Sequence, residues 1–177
     1  MTDRIRAVIL CEDRQQEVFA RTFLEAVGIT PFRILIGPPG KGAGEQYVRK
    51  NYPQNVQTFR SKFPAQPNTC LVVMTDSDVL ETIQRLEILD KELQQSGLPK
   101  REPKERIGIF IPKRNIETWI HFLMGETVNE EDEYQKLKKE SICNPFVEDL
   151  ARNRRNPLPD DAPPSVCAAC NELDRIL

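Results

Sequence analysis

The sequence predicts an α/β fold: a Rossmann-like parallel sheet of about four strands with helices on both faces. Three observations carry that expectation. Short apolar runs rich in β-branched residues recur along the chain without polar alternation, as strands buried on both faces do. Longer segments with apolar residues at helical spacing fall between them. The resulting alternation of strand and helix is the signature of parallel crossovers.

Taken in order, residues 5–11 read as a buried strand that stops at charges. Residues 14–27 follow with Val18, Phe19, Phe23, Leu24 and Val27 on a helical period, closed by Gly28. Residues 32–36 form a second apolar run, and "GPPGKGAG" (37–44) reads as a loop. A short helix is expected over 45–51, then a helix or irregular stretch ending near Phe63. Residues 69–75 give a third strand. A long helix over 79–95 carries Leu80, Ile83, Leu86 and Leu89 on one stripe and ends at Gly97. Residues 107–111 give a fourth strand, with its helix over 115–124. These elements define an expected domain over residues 1–125. The weaker pattern of 126–177 ends in a helix over 165–177 and predicts a helical extension packing on the same domain.

Hydrophobic residues make up 39% and charged residues 29% of the 177, proportions that suit one soluble domain with a full core. A net charge of -2 excludes a globally basic nucleic-acid binder but allows a local basic stripe. The apolar run at residues 7–11 is too short for a signal peptide or a membrane span. Five cysteines without framework-like spacing point to a reduced, cytoplasmic chain.

The candidate chemistry lies where open parallel sheets bind ligands, at the carboxyl ends of the strands. Glu12 and Asp13 follow the first strand, and Asp76 and Asp78 follow the third in "LVVMTDSDVL". Glu117 lies in the first turn of the helix after the fourth, with Lys113 and Arg114 just before it. Each acid alone has a structural explanation, Asp76 or Asp78 as a helix cap and Glu117 as a first-turn acid answering the helix dipole. Together they deliver carboxylates from three strand ends to one rim. Such a cluster stays ionised only beside a cation, and oxygen ligands without histidine suit Mg2+ or Mn2+.

These residues resemble a Toprim domain, the metal-binding module of topoisomerases, DnaG-type primases and the overcoming-lysogenization-defect nucleases. The resemblance rests on a glutamate closing the first strand ("AVILCED"), an Asp-x-Asp closing a later one ("VVMTDSD") and "IPKRNIETWI" at 111–120, which is similar to a Glu-x-Trp element of compact, phage-defence-associated relatives. It covers residues 5–123. It implies Glu12 as the metal-linked acid/base, Asp76 and Asp78 as Mg2+ or Mn2+ ligands, Glu117 as a completing ligand and Lys113 as a catalytic cation steadying the phosphate. The chain departs from the family in carrying Asp13 where glycine is usual and Gln16 where a second acid is usual. The implied function is a metal-dependent nuclease or nicking module acting on DNA or RNA, in phage defence or DNA repair, beside an ATPase partner. The alternative is a non-catalytic nucleic-acid-binding or regulatory subunit with the same fold. Lys41, Arg49, Lys50 and Arg114 are the candidate contacts to a nucleic-acid backbone.

The chain also carries weaker signals. The glycine loop lacks the Ser or Thr of a P-loop and reads as a lid, a backbone-phosphate contact or an ordinary turn. The C-x-x-C at 167–170 has no second pair or histidine at zinc spacing and sits on a segment where Val166, Ala169, Leu173 and Leu177 would pack. His121 and Trp119 read as packed helix residues.

Overall fold

The computed structural model describes residues 4–177. It contains strands β1 (Arg6–Cys11), β2 (Thr30–Ile36), β3 (Thr69–Met74) and β4 (Ile107–Phe110). Helices α1 (Arg14–Glu25), α2 (Ala43–Lys62), α3 (Thr82–Gln95) and α4 (Ile116–Leu123) follow them in turn, and α5 (Asn144–Asn153) and α6 (Pro164–Ile176) complete the chain. All four strands are parallel, in the order β2-β1-β3-β4. The expected α/β class is therefore the observed one.

Alternation along the strands sorts the core into two layers. Ala7, Ile9, Cys11, Cys70, Val72 and Met74 face α1, α4, α5 and α6. Leu10, Leu71 and Val73 face α2 and α3, against Val48, Tyr52, Val56, Leu89 and Leu93. An aromatic string ties the first layer together: Phe19 lies 5.5 Å from Trp119 and 5.7 Å from Phe23, and Phe23 lies 5.6 Å from Phe110. Each such pair adds about 0.5–1.5 kcal/mol beyond burial. Trp119 is fully buried, and its indole N–H donates to Ser165 Oγ at 2.7 Å.

Two expectations are corrected. The short helix over 45–51 is part of a 20-residue α2 that runs through Pro53. Proline removes one backbone bond, at a cost of about 3 kcal/mol. Burial of Val48, Tyr52, Val56 and Phe59 on one face, at about 1.5–3 kcal/mol each, offsets it. Helix α3 begins at Thr82 rather than residue 79, behind a capping box in which Glu81 and Gln84 bond each other's backbone. Its buried face is Arg85, Leu89 and Leu93, while Ile83 remains 59% exposed. The terminal helix packs through Val166, Ala169 and Leu173 as expected, with Cys170 and Ile176 beside them and Leu177 partly buried against the same core.

Residues from 126 onward share the first core layer through Cys143, Val147, Leu150 and Ala151 as well as α6. Gly108 on β4 allows α6 to lie close, since a Cβ there would sit 3.2 Å from Ile176. All five cysteines are free. Burial pushes the Cys143 and Cys170 thiols up to about 11, so they behave as packing groups. Among the described residues no helix is long and apolar enough to cross a membrane.

Candidate functional site

The strand order locates the site. Helix α1 carries the chain from β1 outward to β2 on one face, and α2 returns it past β1 to β3 on the other. The switch point falls between β1 and β3, where an α/β sheet opens a crevice at its carboxyl edge. Register then fixes the partners. Cys11 pairs with Met74, so the next residues, Glu12 and Thr75, are neighbours across the gap. Glu12 Oε1 accepts from the Thr75 hydroxyl and from the Asp76 backbone N–H at 2.8 Å. Gln16 accepts the Glu12 N–H at 3.0 Å and is itself fully buried.

Burial pushes the Glu12 carboxyl from its ordinary 4.5 up to about 7; the charges of Asp78 and Asp13 also raise it, while the Thr75 and Asp76 hydrogen bonds oppose the rise. Asp76 is only 8% exposed and its Oδ1 has no hydrogen-bond partner. Burial, then the charges of Glu12, Asp13, Glu117 and Asp78, hold its carboxyl well above the usual range. Glu117, 4% exposed on α4, is raised mainly by burial. Acids from three strand ends thus feel one another, as the sequence pattern anticipates.

Neither Asp76 nor Asp78 caps a helix. The cap of α1 is Asp13, whose carboxylate accepts from Gln16 N–H at 2.9 Å. Asp78 adopts a left-handed backbone (φ 54°), as does Arg114 (φ 70°). The two residues meet in an isolated antiparallel bridge, with Asp78 N–H donating to Arg114 O at 3.1 Å. Buried Ser77 joins the same two loops by accepting Arg114 N–H. That turn sends the Asp78 carboxylate to Arg85, 3.1 Å away, whose guanidinium also holds Glu45 at 2.8 Å.

The crevice above these groups has a volume of about 590 Å³ and is lined by Glu12, Asp13, Asp78 and Arg114 with the glycine loop, Lys41 included. Glu45, Glu133 and Lys136 complete its charged lining, which therefore holds five acids and three bases. Asp76 and Glu117 are buried and do not line it, and neither do Lys113, Arg49 and Lys50. The Lys113 ammonium lies 3.0 Å from Glu81 and 3.6 Å from Glu131. Arg49 is tied to Glu45 and Glu92, and Arg114 to Glu133 at 2.6 Å. Lys50 is exposed.

Several contributors were not legible from residue type. Thr75 and Gln16 look like ordinary strand and helix residues, and Glu133 and Lys136 lie in a featureless charged run. The glycine loop did give a signal, and two of its glycines have a packing role. A Cβ on Gly44 would sit 2.8 Å from both the Cβ and the carbonyl oxygen of Glu12, and one on Gly37 2.7 Å from the same oxygen. The two glycines let the loop press onto Glu12 and hold its backbone in place.

The donor set fits a hard divalent cation in chemistry: oxygens only, a half-buried Glu12 carboxylate beside a buried Asp76, and one buried Asp76 oxygen without a partner. Among the described residues no three acidic, cysteine or histidine groups stand close enough to hold an ion as a closed cage. Glu12 and Asp76 thus suit the sparse coordination of Mg2+, which takes one or two carboxylates and fills the rest with water and substrate oxygens. Comparison with protein-family models, with curated proteins and with solved structures finds no match.

Proposed function

We propose that this chain is a Toprim-like phosphodiesterase, dependent on Mg2+ or Mn2+, that cleaves DNA or RNA in phage defence or DNA repair with an ATPase partner. The observation that carries the reading is the neighbouring pair of carboxylates, half-buried Glu12 and buried Asp76, at the switch point of the sheet. Ion pairs in the crevice engage Glu45, Asp78 and Glu133 and leave Glu12 and Asp76, among the described residues, without an arginine or lysine. A crevice of net negative charge repels phosphate, so a phosphodiester enters it only with a cation.

Glu12 and Asp76 would hold that cation, which supplies Lewis-acid polarisation of the phosphoryl oxygen and an acidified water. Thr75 and the Asp76 N–H fix Glu12 Oε1, and the glycine loop fixes its backbone, so the carboxylate is preorganised rather than searching rotamers. Without a cation, burial lifts its pKa to about 7; a bound divalent ion would lower it and keep the carboxylate ionised as a ligand. Lys41 and Arg114 at the rim are the groups that would meet the flanking phosphates. Lys113 would join them only after leaving Glu81.

The test is cleavage of plasmid DNA and of single-stranded RNA with Mn2+, comparing the native chain with Asp76→Asn and Glu12→Gln. Activity should fall by about 10²–10⁴-fold, the range for removing an acid/base group, while the fold persists. Cleavage at the native rate in both variants would show that the site lies elsewhere.

One observation favours the non-catalytic alternative: Asp78 and Lys113 are both committed to ion pairs. Melting with and without metal separates the readings. A cation held a thousandfold above its Kd stabilises the fold by about 4 kcal/mol, and a subunit without the site gains nothing.

A further inference from the structure

At the opposite end of the strands from the carboxylates, β2 and the last turns of α2 enclose a cavity of about 250 Å³. Val8 and Leu71 of the sheet and Phe59 and Phe63 at the end of α2 supply its apolar lining, and Arg6, Arg33 and Lys62 its charge. A wider cleft of about 580 Å³ adjoins it, shares Arg6, Gln66 and Thr69, and adds Arg4. Among the described residues no aspartate or glutamate lines either space, although acids outnumber Lys and Arg by 27 to 25 in the chain. Four cations are thus gathered here, with no counter-charge in the walls among the described residues.

A local irregularity builds the site. The pairing of β1 with β2 passes from Ala7–Pro31 to Val8–Arg33 and skips Phe32. In a regular strand Phe32 and Arg33 would point to opposite faces. The bulge re-aims them, and both line the cavity. The Arg6 guanidinium lies over the Phe32 ring, 4.2 Å from its centroid, which holds the two side chains in place by a cation–π contact. Phe32 nonetheless stays 45% exposed, an aromatic face open beside three cations.

We propose that this cavity binds an amphipathic organic anion: a flat aromatic or short acyl body against Val8, Leu71, Phe59 and Phe63, with its phosphate or carboxylate on Arg6, Arg33 and Lys62. An apolar pocket with a few convergent polar groups is the usual build of a small-ligand site, and guanidinium groups match the geometry of phosphate and carboxylate. The volume admits one ring system or a short chain. This site is separate from the carboxylate crevice and does not depend on the nuclease reading.

The probe is 8-anilinonaphthalene-1-sulfonate, itself flat and anionic, titrated by fluorescence against the native chain, Lys62→Glu and Thr58→Trp. Lys62 is exposed at the end of α2 and Thr58 lines the cavity, and thermal melts establish that both variants fold. The native chain should bind one equivalent. Lys62→Glu should raise Kd about tenfold, and Thr58→Trp, which fills the space, should abolish binding. Displacement by adenosine 5′-monophosphate would identify a nucleotide-like ligand, and displacement by decanoate an acyl one. Absence of saturable binding, equal affinity in all three proteins, or failure of both competitors at millimolar concentration would overturn the proposal.

Discussion

Replacing Glu12 by glutamine isolates the cost of the site. The folded protein keeps the Glu12 proton up to about pH 7, whereas the unfolded chain gives it up near 4.5. Its contribution to stability is therefore fully present below pH 4.5 and is lost as pH rises from 4.5 through 7. At about 1.4 kcal/mol per pH unit, the loss amounts to about 3 kcal/mol at most. Glutamine keeps an oxygen to accept from Thr75 and the Asp76 N–H, does not titrate, and lightens the repulsion on Asp76. Urea unfolding in chelator at pH 4.5 and pH 8 should show the two proteins nearly equal in acid, and Glu12→Gln more stable by up to about 3 kcal/mol at pH 8. Adding Mn2+ at pH 8 should narrow that gap by stabilising the native chain. A variant less stable than native at pH 8, or a gap that is the same at both pH values, would refute the claim that Glu12 is ionised at a cost.

Two further outcomes follow from particular contacts. Gly44→Ala places a Cβ 2.8 Å from the Glu12 backbone oxygen and Cβ; thermal melts should show a loss of about 1–3 kcal/mol, as for overpacking, and any metal-dependent cleavage should fall further than the stability loss accounts for. Ser165→Ala orphans the buried Trp119 indole N–H and should cost about 1–3 kcal/mol in urea unfolding at any pH, with no effect of metal.

The centre of the sheet was legible because β1 and β3 are buried on both faces and leave uninterrupted apolar runs. So was the meeting of Glu12 with Asp76, because parallel strands in register deliver their next residues to one edge. The divergence of Asp78 was not legible. It depends on a left-handed backbone at an aspartate and on Arg85, which sits where the helical stripe called for an apolar residue. Helix α2 was obscured by Pro53, a breaker that tertiary burial overrides. The segment from 126 to 139 has little apolar period, and its visible ties are polar: His121 bonds Glu126 and the Gln135 carbonyl, and Tyr134 OH accepts from Asn129 N–H. Helix α5 escaped because it buries only Val147, Leu150 and Ala151, too few to stand out.

The sharing of one core layer by β1, β3, α5 and α6 bears on how the protein comes into being. While a ribosome has released only the first 125 residues, α1 and α4 alone lie over that layer, and the apolar surfaces of α1, α4 and β4 that α5 and α6 later bury remain wet. The acids can reach their rim early, but the nascent chain must carry a sticky surface until residues 144–176 emerge, and in that interval it is a natural client for chaperones.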